Sequence, residues 1–323
     1  MKILVTGSAG FIGFNFCEYL MKNLKYKVVG IDNLNDYYDV NLKKKRTQIL
    51  KKYKNFTFKK INLNNNSELE KIFKKNKFDF IFNLAAQAGV RYSIEQPRKY
   101  IDSNINGFFN IIENAKKYKI KRLFYASSSS VYGENNNFPL NEKEKINPKN
   151  IYSLTKKINE EISSIYKNFY DVKSTGLRFF TVFGEWGRPD MMMLKFIDAY
   201  FKKKNFELFN FGNHHRDFTY IGDVVKMMGI LLLNHKKLKD SDILNVCSNQ
   251  PINLKKVILF LQEQNIRPTI KKKSLQKADI LKTHGDNRKI LKITKYKNFI
   301  DWRIGIKRTI KWYLDFYVNT KKK

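Results

Sequence analysis

The sequence predicts an α/β protein: a doubly wound parallel sheet followed by a smaller, discontinuous C-terminal lobe. Three observations predict it. Short apolar runs alternate with amphipathic stretches through the first two-thirds of the chain, the pattern of a parallel sheet covered by helices. The runs are nearly continuous in apolar residues, as strands buried on both faces must be. After Phe179 the alternation gives way to motif-dense loops between helices, as a lobe capping the sheet would read.

In order, the strands are expected at residues 2–6, 26–31, 56–61, 79–84, 121–126 and 173–178. The intervening amphipathic stretches are 11–22, 40–52, 67–73, 98–117 and 151–169. Later helices are expected at 191–203, 223–233, 254–264 and 304–316, with a further strand at 243–247. The segment 224–248 reads as returning to the sheet. The sheet domain is therefore 1–178 with 224–248, and the lobe is 179–223 with 249–323.

Of the 323 residues, 42% are apolar and 15% aromatic, enough for a real core, which excludes disordered, collagen-like and coiled-coil classes. Cys17 and Cys247 are too few for a disulfide framework and lack metal-ligand spacing, so they fit a reducing compartment. The opening apolar run is too short for a secretory signal. No stretch approaches the ~20 apolar residues of a membrane span; the longest, 227–233, reads as a buried helix. A cytoplasmic protein is expected. Lys plus Arg is 63 against 29 Asp plus Glu, a net charge of +34. The lysines form small clusters along the chain, such as Lys43-Lys44-Lys45, Lys202-Lys203-Lys204, Lys271-Lys272-Lys273 and Lys321-Lys322-Lys323. Scattered so, they read as a composition bias on solvated surfaces, not as a nucleic-acid or membrane footprint. The positive field would still attract an anionic small substrate.

The first strand runs into Gly7-Ser8-Ala9-Gly10-Phe11-Ile12-Gly13 and then a helix. In that context the glycines give a tight turn, a close backbone approach to a pyrophosphate, and close helix–strand packing. Free N–H groups at the helix start would hold the phosphates. The second strand ends at Asp32-Asn33, with Asp32 19 residues after Gly13. A carboxylate there accepts both adenosine ribose hydroxyls and repels a 2′-phosphate, favouring NAD over NADP; the plainer reading is an ordinary turn aspartate. Asn62 and Leu63 would flank adenine, and Leu84, Ala85 and Ala86 would let the cofactor pass close. These features make the sheet Rossmann-type.

The fifth strand ends in Ser127-Ser128-Ser129-Ser130, and a later helix opens with Tyr152-Ser153-Leu154-Thr155-Lys156. Tyr152 and Lys156 share a helix face. A lysine ammonium beside a tyrosine favours phenolate over the usual pKa of ~10 and makes a base. With 18 Tyr and 63 basic residues, roughly three such spacings arise by chance, so the weight lies in the order of the motifs. That order is glycine turn, Asp32, serine strand end, then Tyr-x-x-x-Lys 24 residues after Ser128.

At this point the chain resembles the extended short-chain dehydrogenase/reductase family, in particular its NAD-dependent nucleotide-sugar epimerases and dehydratases. The resemblance covers nearly the full length and is strongest to the UDP-glucuronate 4-epimerases. It is carried by residues 32–40, by Ala88-Gly89-Val90-Arg91-Tyr92-Ser93, by Arg178-Phe179-Phe180-Thr181-Val182-Phe183-Gly184, by Trp186-Gly187-Arg188-Pro189-Asp190-Met191 and by Arg216-Asp217-Phe218-Thr219-Tyr220-Ile221. It implies a catalytic triad of Ser128, Tyr152 and Lys156, with tightly held NAD recycled through a 4-keto sugar. It implies Thr181 and Arg188 near the sugar carboxylate, with Ser129 and Ser130 able to help hold it. Arg91 falls in one of the matching motifs and is placed at the substrate. Arg216 would lie on the diphosphate, Asp279 on the uridine ribose, and Phe209 and Phe211 beside uracil. The plainer readings are a buried Arg216–Asp217 ion pair and two core phenylalanines. Asn83, Asn62, Glu185 and Gly222 depart from the family's usual histidine, aspartate, proline and aspartate.

The resemblance leaves rivals. A UDP-glucose or UDP-N-acetylglucosamine 4-epimerase is the main alternative. A 4,6-dehydratase or a UDP-glucuronate decarboxylase would carry an acid where Ser129 and Ser130 stand. A noncatalytic nucleotide-binding protein on the same fold would have no need of Ser128, Tyr152 and Lys156 together. The resemblance also implies a homodimer through helices 98–117 and 151–169, and a galacturonate donor for capsule or other polysaccharide assembly.

Overall fold

The computed structural model describes residues 1–276 and 279–318; the Lys321-Lys322-Lys323 cluster lies outside them. The chain runs β1 (Lys2–Thr6), α1 (Phe11–Asn23), β2 (Lys27–Asp32), α2 (Val40–Leu50), β3 (Phe56–Lys60), α3 (Asn66–Lys75) and β4 (Phe80–Asn83). Two short helices follow, α4 (Tyr92–Glu95) and α5 (Pro97–Tyr100), then α6 (Gly107–Lys117), β5 (Arg122–Ser128), α7 (Ile151–Tyr170) and β6 (Ser174–Phe179). The remainder comprises β7 (Thr181–Phe183), α8 (Met192–Phe201), β8 (Phe206–Phe209), β9 (His215–Tyr220), α9 (Ile221–Leu233) and β10 (Ser241–Val246). It ends with β11 (Pro251–Asn253), α10 (Leu254–Glu263), β12 (Ile270–Lys273), α11 (Arg288–Thr294) and α12 (Trp302–Tyr313).

Seven strands form one sheet in the order β10-β6-β5-β4-β1-β2-β3. All its pairings are parallel. The chain winds one way from β1 to β3 and the other way from β4 to β10. A crevice therefore opens at the carboxyl ends of β1 and β4. Strands β1, β4 and β6 are buried along almost their whole length, as helices on both faces require. Helix α9 packs on α1, with Met227, Met228, Leu231 and Leu232 fully buried. A second sheet, β11-β9-β7, and the ribbon β12-β8 complete the lobe side.

Local chemistry sets the helix starts. Asp39, Asn65 and Asp301 cap α2, α3 and α12 with their side chains. Asn150 and Ser153 form a reciprocal capping box on α7, which fixes the turn that carries Tyr152.

The single helix expected at 98–117 is instead three pieces: α5, a π-helical turn at Ile101–Asn106, and α6. The reason is Asn104, buried at the wide turn. It accepts from Gln87 N (2.7 Å) and donates to Gln87 O and Thr155 Oγ1 (both 3.0 Å), tying α7 to the loop after β4. The solvated reading of the lysine clusters also fails at one position. Lys43 is 4% exposed, while Lys44 and Lys45 face solvent.

Candidate active site

Two adjoining cavities occupy the crevice. The first, about 230 Å3, begins at the glycine turn and ends at Tyr152 and Lys156. Gly7, Gly10, Phe11, Ile12, Gly13, Asp32, Asn33, Asn62, Leu63, Leu84, Ala85 and Ala86 all line it. The second, about 900 Å3, lies between the sheet and the lobe. Arg91, Ser129, Ser130, Thr181, Phe209, Arg216 and Asp279 line it. The cavities meet at Tyr37, Ser128, Phe180, Arg188 and Met191.

The first cavity is made largely of backbone. Gly7 has φ +68°, and a Cβ there would lie 2.7 Å from Ala85 N. A Cβ at Gly13 would collide with Gly7 O. No side chain caps α1, so its first N–H groups remain free for an anion. Asp32 accepts from Ala9 N (3.1 Å) and Leu34 N (2.8 Å). Burial raises its pKa; those two N–H groups and the cations Lys43 and Arg46 oppose the rise. Lys43 donates to Asn35 O at 2.6 Å and Asn35 Oδ1 at 2.5 Å, and burial lowers its pKa to about 8. This donor set suits a dinucleotide: N–H groups for phosphates, a carboxylate for ribose hydroxyls, and small residues where a ring must pass.

At the junction, Tyr152 stands on the first turn of α7 and Ser128 ends β5. Burial raises the Tyr152 pKa above its ordinary value, while hydrogen bonding to Ser128 and the charge of Arg188 pull it down. Lys156 takes a different part from the one its spacing suggests. Its Nζ lies 6.0 Å from the Tyr152 ring centre and donates to Ala126 O at 2.8 Å. Burial lowers the Lys156 pKa to about 8, opposed by Glu160 one turn along. Glu160 is held beneath the site by Arg178 (2.9 and 2.7 Å) and by Ser127 Oγ (2.5 Å).

The second cavity is made of side-chain pairs drawn from distant parts of the chain. Arg188 grips Asp190 through two hydrogen bonds, 3.0 and 2.6 Å, and Asp190 also accepts from Tyr37 Oη at 3.0 Å. Arg91 donates to both oxygens of Asp279 (3.2 and 3.0 Å) and stacks over Phe209 at 4.0 Å. Arg216 and Asp217 do not pair. Alternate strand residues face opposite sides. Arg216 donates to His215 O and Leu281 O on the cavity side, and burial lowers its pKa to about 10. Asp217 accepts from Ser248 and Gly285 on the other side. The plain ion-pair reading is thus excluded. Phe211 is corrected too: it sits at φ 52° on a tight turn, 53% exposed, and lines neither cavity. Phe209 lines the cavity rather than the core.

Sequence reasoning missed Lys43, Arg46, Tyr37, Asp190 and His214. Arg46 is fully buried and donates to Ala9 O (2.8 Å) and Gly187 O (3.0 Å), joining the glycine turn to the lobe. Its signal was present: Leu42, Arg46 and Leu50 recur every four residues, placing an arginine in the apolar stripe of α2. Tyr37 and Asp190 lay within the matching motifs without being singled out, and Lys43 and His214 carried no local signal.

Comparison with known proteins is consistent with this geometry. The model of the NAD dependent epimerase/dehydratase family matches residues 3–247. An uncharacterised protein of Methanocaldococcus jannaschii is 45% identical, with 97% of this chain and 96% of that protein covered. UDP-glucuronate 4-epimerase 4 of Arabidopsis thaliana is 38% identical over 100% of this chain and 77% of its own length. The crystal structure of UDP-glucuronic acid 4-epimerase from Bacillus cereus, in complex with UDP-glucuronic acid and NAD, superposes with a TM-score of 0.91 at 29% identity. It covers 98% of this chain and 100% of that one.

Proposed function

The chain belongs to the NAD-dependent epimerase/dehydratase family, and from that premise we propose that it is a UDP-glucuronate 4-epimerase. The observation that carries this is the meeting of the two cavities at Ser128 and Arg188, with Tyr152 on the first cavity's side of that junction. There a proton-transfer pair stands between a dinucleotide cleft and an arginine-bearing cavity large enough for a nucleotide sugar. Relatives across the full length are UDP-glucuronate 4-epimerases, one of them solved with that sugar nucleotide and NAD.

NAD, when bound, supplies removal and return of hydride at sugar carbon 4, with a 4-keto sugar between, and a positive nicotinamide ring. Tyr152 Oη takes the proton of the 4-hydroxyl and later returns it. Ser128 orients that hydroxyl. Arg188 supplies positive charge toward the phenolate, and Glu160 favours the protonated form of Lys156. Asp32, Lys43 and the N-terminus of α1 would hold the cofactor, with Asn33, Asn62 and Leu63 at its adenosine end. Ser129, Ser130 and Thr181 would hold the uronate carboxylate, so that its bond to carbon 5 stays out of line with the carbonyl. Arg216, Arg91 and Asp279 would take the UDP.

No acid stands at Ser129 or Ser130, so the dehydratase and decarboxylase readings lack a proton donor there. One observation favours a neutral sugar such as UDP-glucose: Asp190 already compensates Arg188. Purified protein incubated with UDP-glucuronate and no added NAD is expected to yield UDP-galacturonate by proton NMR, and Tyr152→Phe to abolish it. Turnover of UDP-glucose or UDP-N-acetylglucosamine alone would favour the second reading. No turnover with NAD supplied would favour a noncatalytic protein.

We further place the enzyme in the cytoplasm as a supplier of galacturonate for polysaccharide. Its NAD-binding part would be residues 1–178 with 224–248, and its substrate lobe the rest. No helix among the described residues is long and apolar enough to cross a membrane. Leu154, Ile165 and Phe169 on α7 and Phe109 on α6 are exposed, an apolar face suited to a homodimer. A monomeric mass by light scattering at micromolar protein would refute the dimer.

A further inference from the structure

We propose that His214 is the proton-linked residue of the nucleotide cleft: it takes up a proton when a nucleoside diphosphate sugar binds, so affinity rises as pH falls through neutrality. This rests on the reading that the larger cavity holds such a ligand.

His214 enters β9 from a tight turn, and its backbone is tied at both ends. Its N–H donates to Gly212 O and its carbonyl accepts from Leu254 N, both at 2.9 Å. The ring is thereby aimed at the cavity that Arg216 and Asp279 line. It is 4% exposed, and its Nε2 is buried without a hydrogen-bond partner. Asp279 Oδ2 lies 3.9 Å from Nε2, beyond hydrogen-bond reach, and Arg91 already occupies both oxygens of that carboxylate. A buried ring nitrogen left unpartnered among binding residues is a site awaiting its ligand's charge.

The charged and titratable groups that act on the ring come from three places. Arg216 and His215 lie on β9, Arg91 on the loop after β4, and Asp279 on the loop after β12. Burial, Arg216, Arg91 and His215 hold the imidazole below its ordinary 6.5, and Asp279 alone opposes them. The ring is therefore neutral at pH 7 in the free protein. A diphosphate seated on Arg216 and Arg91 cancels the repulsion. It also competes for Arg91, leaving Asp279 to face an imidazolium. The sign follows by linkage. A ligand that raises a group's pKa binds with proton uptake. Affinity then grows as pH falls from the bound-state pKa to the free-state value, which lies below 6.5.

The test uses UDP-glucuronate, because a diphosphate diester has no titration between pH 6 and 8 and any slope belongs to the protein. Calorimetry on NAD-containing Tyr152→Phe protein avoids turnover. Affinity is expected to rise roughly fivefold from pH 8.0 to pH 6.0. Adding His214→Gln should flatten the slope while leaving affinity at pH 8.0 within about twofold. Lys43 and Lys156, each with a pKa of about 8, remain in both proteins, so the difference isolates His214. An unchanged slope in the His214→Gln protein overturns the proposal. So does an equal loss of affinity at both pH values, which is what a purely structural ring would give. Should His214→Gln fail to fold, proton uptake by the parent protein decides. Heats in two buffers of different ionisation enthalpy should differ at pH 6.8, and equal heats overturn the proposal. Binding without a slope defeats only this inference, whereas no binding at any pH defeats the reading beneath it.

Discussion

The two cavities that meet at Ser128 are built by different means. The first is a backbone object: a glycine turn, strand ends and an uncapped helix start, placed by a parallel sheet whose pairings leave no slack. The second is a side-chain object. Arg91 reaches Asp279 across 188 residues of chain, and Tyr37 reaches Asp190 across 153. A cofactor recycled in place, as proposed for NAD here, would suit the first kind of wall. A substrate that must enter, turn over and leave suits the second, whose pairs can exchange partners.

The sharpest way to break the first wall is Gly13→Ala. The obstacle to the new methyl is the Gly7 carbonyl, which is backbone and cannot rotate away. We expect the purified variant to carry almost no NAD by absorbance after denaturation. Without added cofactor its activity should fall at least ~100-fold, because close helix–strand approach is what this glycine provides. Near-normal NAD content would show that the turn is softer than it looks.

The same contrast explains what could be read from the chain. Every expected residue of the first cavity lines it, because glycine spacing and strand ends are local properties. All the strands of the main sheet fell within two residues of their expected bounds. The second cavity was legible only through longer motifs matched to a family; of the residues so placed, Phe211 alone does not line it. Phe211 and Phe209 are two apart in sequence, yet a left-handed turn sends one outward. Asp190 closes on Arg188, and the charge pair hides what a lone arginine promises. Lys43 looked like one more solvated lysine, since nothing in a lysine run tells which member points inward.

Lys156 sharpens the comparison by showing what the first wall tolerates. A buried lysine with a folded pKa of about 8 against 10.5 ordinarily destabilises the fold wherever the unfolded chain binds the extra proton. The penalty is complete below pH 8 and is relieved as pH rises from 8 to 10.5. It amounts to about 3 kcal/mol. Lys156→Met, stripped of nucleotide, is therefore expected to be inactive yet more stable than the parent at pH 7 by urea unfolding. Lys43 is depressed in the same way and remains in both proteins, so the parent should gain about 3 kcal/mol more stability than the variant as pH rises from 8 to 10.5. A variant less stable at pH 7 would mean that the Ala126 contact outweighs desolvation.

The smallest effect concerns Glu185 and Gly222 on the lobe side, which meet on one ring. Tyr220 Oη donates to the Glu185 carboxylate, 2.9 Å from either oxygen, and lies 3.4 Å from Arg308. A Cβ on Gly222, in the first turn of α9, would sit 2.6 Å from Tyr220 Cε1. Any side chain at 222 must therefore push the ring aside and pull its hydroxyl from Glu185. Each of Glu185→Ala and Gly222→Ala is expected to cost about 1 kcal/mol, the first by losing a charge-assisted hydrogen bond and the second by crowding. Because both act through Tyr220, the double variant should cost about 0.5–1 kcal/mol less than the sum. Tyr220 lines neither cavity, so kcat should stay within about twofold of the parent throughout the cycle. Strict additivity in urea unfolding would separate the two positions and leave each as an independent change.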